Sequence, residues 1–116
     1  MKKSGNMYRD IGEAGEGTGK AESIAIHGRI TVENSGEMSS KLANALLKKP
    51  PKLTVNLSGV SYIDTSGLAA LLQAAGVAHK QGTRLVLNAP EEQPRYLLQI
   101  TGLDRLFVIE EREPSR

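Results

Sequence analysis

Residues 53–69 read LTVNLSGVSYIDTSGLA, and this stretch decides the fold. Apolar residues fill every second position from 53 to 57, which is the pattern of a half-buried strand. The strand continues to Ile63 and meets residues 64–69, where an Ala/Leu-rich helical pattern begins. The sequence therefore predicts a strand that passes directly into a helix.

Two hydroxyls and a carboxylate lie at this junction, on Thr65, Ser66 and Asp64. A helix start leaves backbone N–H groups without intrahelical partners and carries a partial positive charge, so it can hold an anion. A phosphate added to Thr65 or Ser66 would meet that feature, although the carboxylate of Asp64 would oppose it. Asp, Thr and Ser are also common N-caps, so a cap without any further role explains the same pattern. Whatever the chain does, we expect it to do it here.

Strand and helix patterns alternate along the rest of the chain. Besides residues 53–63, strands are predicted around Ile24 and Ile26, over Leu85–Leu87 and over Leu106–Ile109. The helices between them are marked by the capping pairs Asn34/Glu37 and Asn88/Glu91, by Pro94 in a first turn, and by stops at Pro50-Pro51, Gly82 and Gly102. Such alternation implies crossover connections. The predicted fold class is therefore α/β, a single domain with a mixed, largely parallel β-sheet backed by helices.

The helix that follows the junction has two predicted faces. Leu68, Leu71, Leu72 and Ala75 recur at helical spacings on one face, and His79 follows them as a helix-end residue favourable to the dipole. A different face carries small and polar residues, namely Ala69, Gln73, Gly76 and Lys80. That second face is either a surface for a partner or the ordinary solvent-facing side of an Ala-rich helix.

The composition excludes several classes of protein. The 116 residues suit one domain, and 15 basic against 13 acidic side chains give a net charge of +2. The lysines are scattered and aromatic residues are few, so no nucleic-acid-binding face is predicted. Because the chain has no Cys, it has no disulfide, thiol nucleophile or zinc–thiolate site.

Three regions are predicted along the chain. Residues 1–20, rich in Gly, Glu and Lys, are interpreted as a flexible extension in which 7–11 is a candidate for a weak edge strand. Residues 21–110 form the domain, and residues 111–116 form a charged tail. Polar residues follow Lys3, which argues against a signal peptide, and no segment is long and apolar enough to span a membrane. We therefore expect a cytoplasmic protein without membrane insertion.

Three segments carry a resemblance to a known family. Residues 53–69 resemble the signature of STAS domains, the family of bacterial anti-sigma factor antagonists. Residues 28–30, GRI, are similar to an early motif at a strand end, and residues 100–107, ITGLDRLF, are similar to the late helix-to-strand motif. The resemblance covers residues 22 to 110 in the family's order, and three linked motifs are more specific than one pentapeptide.

The resemblance implies a switch protein and not an enzyme, with no cofactor and no metal. The unphosphorylated form of such an antagonist binds an anti-sigma factor that is also a serine/threonine kinase, which releases the sigma factor and so regulates transcription. The kinase phosphorylates the hydroxyl residue directly after the motif aspartate, and a PP2C-type phosphatase restores the binding form. By position the acceptor is Thr65, with Ser66 as the second candidate.

The residues expected to bind the partner are those of the motif and of the small-residue face, namely Asp64, Thr65, Ser66, Gly67, Leu68, Ala69, Gln73 and Gly76. Two positions depart from the family's pattern. Thr31 stands where many antagonists have an acidic residue near the acceptor, which bears on recognition by a kinase. Asn56 stands where Asp is frequent, and Asn retains the hydrogen-bond acceptor.

Two alternatives stay open. Stand-alone STAS proteins also serve as cytoplasmic accessory subunits of ABC-type lipid transporters, and the DTSGLA form of residues 64–69 is similar to theirs. In that role Thr65 would dock on the membrane protein or the ATPase without a kinase. A hydrolase using Ser66 is the other alternative, but Ser66 lacks the Gly-x-Ser-x-Gly elbow, and no motif links His27 or His79 to a hydroxyl.

Overall fold

Four parallel strands form the sheet of residues 19–111, the part of the chain that the computed structural model describes. They are β1 (Glu22–Ile30), β2 (Lys52–Ile63), β3 (Arg84–Asn88) and β4 (Val108–Glu110), and they lie side by side in that order. The connections are α1 (Ser35–Leu47), α2 (Thr65–Gln81), α3 (Glu92–Ile100) and a 3₁₀ helix (Leu103–Leu106). The predicted α/β class is confirmed.

Strand β2 lies inside the sheet and supplies the floor of the core. Leu53, Val55 and Leu57 are completely buried. Helix α1 packs against α2 and adds Met38 and Leu46 to the same cluster, as part of a larger set of buried side chains. Burying one such aliphatic side chain stabilises the fold by about 1.5–3 kcal/mol, so the strand pattern read from the sequence carries much of the core.

Helix α2 buries a different stripe from the predicted one. Its buried residues are Gly67, Leu68, Ala70, Leu71, Ala74 and Ala78. The prediction is wrong for Leu72, which is 45% exposed, whereas His79 lies exposed in the last turn, as expected of a helix-end residue. The alanines face inward because α2 packs closely against α1 and the sheet, and small side chains allow that approach.

Strand β2 is longer than its neighbour because it carries an extra residue at two places. Asn56 to Gly59 lies opposite Ala25 to His27, and the register shifts again one residue further along. At the first bulge the Asn56 side chain accepts a hydrogen bond from the Ser58 N–H at 2.9 Å. Each bulge adds one residue between two inward-facing positions, so the alternation resumes one position later in the sequence. The buried positions therefore run from Leu57 to Val60 and Ile63, each three residues apart.

The helix stops are confirmed, but two details of the helix starts differ. Gly82 and Gly102 follow the last turns of α2 and α3 with φ angles of 79° and 76°, and Pro94 lies in the first turn of α3. Asn34 is the N-cap of α1, but its side chain does not cap the helix. It accepts from the Thr31 N–H at 2.8 Å and donates to the Arg29 carbonyl at 2.8 Å, which fixes the preceding turn.

The predicted cap at Asn88 is wrong, and so is part of the last strand. Asn88 is the final residue of β3, and Glu91 is the N-cap of α3. The reason is that the sheet pairing continues one residue further, since the Ala89 N–H donates to the Glu110 carbonyl at 2.6 Å. Leu106 ends the 3₁₀ helix, and β4 begins only at Val108.

The predictions for the two ends of the chain fall largely outside the described residues. These are the extension over 1–20 with its strand at 7–11, and the tail over 111–116. They stay predictions. Within residues 19–111, no helix has the length and hydropathy that crossing a bilayer requires.

Candidate functional site at the start of helix α2

The junction between β2 and α2 lies at the carboxyl ends of the strands. Ile63 pairs with Ile30 of β1, and the Asp64 N–H donates to the Ile30 carbonyl at 3.0 Å. Helix α2 then begins directly at Thr65. The sheet therefore holds the backbone of this junction in place before the helix starts.

The carboxylate of Asp64 caps the helix. Its Oδ1 accepts from the N–H groups of Ser66 at 2.9 Å and Gly67 at 3.3 Å, and from the Ser66 hydroxyl at 2.6 Å. The Ser66 hydroxyl is the main cause of a pKa of Asp64 below its ordinary value, and the N–H groups of Gly67, Ser66 and Val32 act in the same direction. Asp64 is thus a charged N-cap that ties α2 to the turn after β1.

The two hydroxyls of the motif have different surroundings. Thr65 is exposed at the first position of α2, and its hydroxyl makes no hydrogen bond to any of residues 19–111. Ser66 is half-buried, and its hydroxyl donates to Asp64. Thr65 therefore offers an accessible oxygen, whereas the oxygen of Ser66 belongs to the cap.

Gly67 and Leu68 shape the site from below and do not form its surface. A Cβ on Gly67 would lie 2.8 Å from Ile63 Cδ1 and 2.9 Å from Ile30 Cγ2, so α2 can approach the strand ends only because this residue has no side chain. Leu68 is 5% exposed and belongs to the core. The sequence motif thus combines a scaffold with a presented hydroxyl.

The other predicted partner-binding residues lie on an outward face of α2. Thr65, Ala69, Gln73 and Gly76 are all exposed, and Leu72 lies between them. Their spacing of three or four residues places them on one side of the helix. We call Thr65, Ala69, Leu72, Gln73 and Gly76 the α2 surface. These five residues are uncharged, and the same face ends at the exposed Lys80 in the last turn, far from Thr65.

Two residues that the sequence did not single out adjoin the site. Val32 is 74% exposed in the turn after β1, beside the carboxylate that its N–H contacts. Gln93 of α3 bonds to the backbone of Ile63 through both atoms of its amide, at 2.8 and 2.9 Å. An apolar residue in a polar turn could have suggested Val32. No local pattern could have found Gln93, because its contact depends on how α3 packs.

The turn that holds Thr31 is organised by its own hydrogen bonds. The Thr31 hydroxyl accepts from the Glu33 N–H at 3.3 Å, and Asn34 accepts from the Thr31 N–H. Thr31 thus stabilises the turn that lies against Asp64, and the nearest acidic side chain in sequence is the exposed Glu33. Among residues 19–111, no three His, Asp or Glu side chains converge as metal ligands would.

A family model described as Mlab, STAS domain, matches residues 14–110. The chain belongs to the STAS family. Solved structures of other STAS-like proteins share its fold. An anti-sigma factor antagonist from Mycobacterium paratuberculosis is 22% identical over 78% of this chain and 76% of its own, with a TM-score of 0.66.

Two further solved structures are similar to this STAS protein. The anti-sigma factor antagonist SpoIIAA in its unphosphorylated form is 16% identical over 78% of this chain and 79% of its own, with a TM-score of 0.61. A sulfate transporter family protein from Wolinella succinogenes is 21% identical over 78% of this chain and 77% of its own, with a TM-score of 0.64. At these identities the likeness establishes the fold, which proteins of several roles share.

Proposed function

We propose that this STAS protein is an anti-sigma factor antagonist whose binding to an anti-sigma factor kinase is switched off by phosphorylation of Thr65. The observation that carries the proposal is the contrast between the exposed, unbonded hydroxyl of Thr65 and the hydroxyl of Ser66, which is held by Asp64. A kinase needs an accessible hydroxyl on a fixed backbone, and Thr65 has both. In this proposed role the protein acts in the cytoplasm, and a PP2C-type phosphatase removes the phosphate from Thr65.

The electrostatics of the site favour a switch that leaves the fold intact. A phosphate adds about −1.5 to −2 charges. The start of α2 offsets part of that charge, by about 0.3–1 kcal/mol at an exposed position. The carboxylate of Asp64 opposes the phosphate, but it is engaged with N–H groups and the Ser66 hydroxyl, and Thr65 is exposed, so solvent and salt screen the repulsion. Phosphorylated protein therefore stays folded.

The same phosphate opposes docking. The five residues of the α2 surface are uncharged. A partner whose own surface is complementary to them buries the neutral Thr65 hydroxyl and provides no cation for a phosphate. An unpaired charge buried in an interface costs about 3–5 kcal/mol. Because every 1.4 kcal/mol changes affinity about tenfold, one phosphate is enough to release the partner.

The proposal is tested by incubating the purified protein with ATP and its cognate kinase and following its mass. We expect the wild type to gain one phosphate and Thr65→Ala to gain none. Ser66→Ala is the matched control, since it removes the neighbouring hydroxyl and leaves Thr65 in place. It should still be phosphorylated. Absence of any mass shift, with a kinase that is active on another substrate, would contradict the proposal.

A second candidate function is that of a cytoplasmic accessory subunit of an ABC-type lipid transporter. Two observations favour it: the DTSGLA form of residues 64–69 resembles that of such subunits, and the matching family model is described as Mlab, STAS domain, and not as an antagonist. In this role the α2 surface docks on an ATPase or permease, and Thr65 is an interface residue without a kinase. The exposed Leu72 and the uncharged character of this surface suit such a stable contact as well.

Affinity purification from the native cell distinguishes the two roles. Recovery of an ATPase together with a permease, lost on Gly76→Arg and retained on Thr65→Ala, supports the transporter role. Gly76 has open space around it, so the large side chain blocks docking without disturbing the fold. Recovery of an anti-sigma factor kinase in its place supports the antagonist role.

A hydrolytic role for Ser66 has no support in the geometry. Its hydroxyl donates to a carboxylate and not to an imidazole. His27 lies against Gly59 of the first bulge, and His79 is in the last turn of α2, at the other end of the helix from Ser66. The proposed function requires no catalysis by this chain.

A further inference from the structure

Within residues 19–111, the carboxyl-terminal half of β2 has a strand neighbour on one edge only. Strand β1 pairs with β2 as far as Ile63, whereas β3 pairs with it only from Lys52 to Asn56. Beyond Asn56, no described strand continues on the β3 side. There the edge borders an open cleft of about 370 Å³, lined by Ser58, Gly59, Ser61, Glu91, Glu92 and Gln93.

On this edge, the Gln93 side chain bonds to the backbone of the last residue of β2, where a neighbouring strand would otherwise pair. Its Oε1 accepts from the Ile63 N–H at 2.8 Å, and its Nε2 donates to the Ile63 carbonyl at 2.9 Å. A neighbouring strand makes the same pair of bonds to the backbone, so one amide reproduces a step of the sheet. Two bonds to one residue fix both its position and its orientation.

The Gln93 side chain is itself held on a fixed support. It projects from the first turn of α3, is half-buried, and is followed by the buried Pro94. Leu98, one turn further on, is 1% exposed and joins the main core cluster. Helix α3 therefore transmits the position of the core to the end of β2.

We infer that Gln93 is a positioning residue for the phosphoacceptor, and this inference rests on the proposed function. Ile63 directly precedes Asp64, whose own N–H is held from the opposite side by the Ile30 carbonyl. Hydrogen bonds from β1 on one side and α3 on the other thus fix the backbone of the junction. They set the direction in which the chain continues from the sheet to Thr65. A displacement of about 1 Å of a reacting group can lower a rate by about a hundredfold.

Gln93→Met tests the inference, because methionine has nearly the same length and makes neither bond. Gln99→Met is the matched control, since Gln99 is exposed on the same helix. Rates are measured with saturating kinase and ATP at a temperature where circular dichroism shows every variant to be folded. We expect Gln93→Met to slow phosphorylation of Thr65 about tenfold and Gln99→Met to leave it unchanged.

Two spectroscopic readouts separate positioning from a general loss of stability. In Gln93→Met, amide resonances should shift mainly at residues 63–66, and the Ile63 N–H should exchange with solvent about tenfold faster than in wild type. A variant that is only less stable would exchange faster throughout the core. In wild type the Ile63 N–H should be protected, and exchange at the rate of an unfolded peptide would overturn the inference without any variant.

The outcomes distinguish this inference from the proposed function. Wild type that is phosphorylated together with Gln93→Met at an unchanged rate overturns the positioning role and supports the proposed function. Wild type that an active cognate kinase does not phosphorylate contradicts the proposed function and, with it, the role of Gln93 toward an acceptor. Slow phosphorylation of Gln93→Met with shifts confined to residues 63–66 supports both.

Discussion

Each end of helix α2 has a threonine beside it, and the two threonines have opposite surroundings. Thr65 at the first position is exposed, and its hydroxyl is unbonded among residues 19–111. Thr83, just past the last turn, is 6% exposed, and its hydroxyl donates to the Pro50 carbonyl at 2.6 Å and accepts from Gln81 at 2.9 Å. Packing, and not residue type, therefore decides whether a hydroxyl is available for chemistry.

At the carboxyl-terminal end of α2, the polar side chains of Gln81 and Thr83 are hydrogen-bonded to the backbone of neighbouring segments. Gln81 also donates to the Leu46 carbonyl at 2.9 Å, so one amide links the last turns of α1 and α2. Thr83 N–H donates to the Ala78 carbonyl at 2.9 Å. At the amino-terminal end, by contrast, the side-chain hydrogen bonds to the first turn of α2 converge on Asp64, and none involves the Thr65 hydroxyl among residues 19–111.

The largest effect should come from adding a methyl group at the amino-terminal end. Gly67→Ala forces the new Cβ against Ile63 and Ile30, and we expect a loss of about 1–3 kcal/mol in the free energy of unfolding. The matched control is Gly76→Ala, which meets no atom within 4 Å and should stabilise the helix by about 0.5–1 kcal/mol. Urea denaturation measures both, and equal effects would show that α2 does not rely on a close approach at Gly67.

The next largest loss of stability should come from removing the hydrogen bond between Thr83 and Pro50. Thr83→Val keeps the shape of the side chain and leaves the buried Pro50 carbonyl without its donor, at a cost of about 1–2 kcal/mol in the free energy of unfolding. Phosphorylation of Thr65 should be unchanged at temperatures where the variant is folded. A variant as stable as wild type would mean that this hydrogen bond contributes little.

The charge of the amino-terminal cap should make stability depend on pH. The pKa of Asp64 is lowered in the folded state, chiefly by the Ser66 hydroxyl, so folding favours the ionised carboxylate. Its contribution is complete above the ordinary aspartate pKa of about 3.9 and is lost as the pH falls through the lower, folded value. Thermal unfolding between pH 6 and pH 2.5 should show a shallower decline for Asp64→Ala than for wild type; parallel curves would contradict this assignment.

The smallest effect should follow from the exposed threonine itself. Thr65→Val removes a hydroxyl that makes no bond to the described residues, so the free energy of unfolding should change by less than about 0.5 kcal/mol. Phosphorylation should nevertheless be lost. A marked loss of stability would show that the Thr65 hydroxyl has a structural partner, which would remove the contrast with Thr83.

The sequence predicted the fold correctly where the hydrophobic pattern was long or where the structure depends on residues close together in the chain. The alternation over 53–57 and the glycine stops at Gly82 and Gly102 depend on neighbours along the chain, and the structure agrees with them. The cap at Asn88 failed because pairing between Ala89 and Glu110 extended the sheet, which is a contact between distant segments. The buried stripe of α2 was shifted because hydropathy favoured Leu72 over the alanines that packing selected.

The candidate site divides in the same way. The motif itself located Asp64 and the two hydroxyls, but it could not rank Thr65 above Ser66 on accessibility, since that difference depends on one side-chain hydrogen bond. The contribution of Gln93 lay beyond reach, because 30 residues separate it from Ile63.

The two extra residues of β2 constrain how the length of this strand can change. Deleting the extra residue of one bulge returns that part of the strand to strict alternation, so the side chains that follow keep their side and Ile63 still faces the core. Without both extra residues, the paired part of β2 would match Glu22–Ile30 residue for residue, and Ile63 would stay opposite Ile30. The length of this segment can therefore change by one residue at a bulge, but not between Leu53 and Leu57, where one missing residue would turn the rest of the strand over.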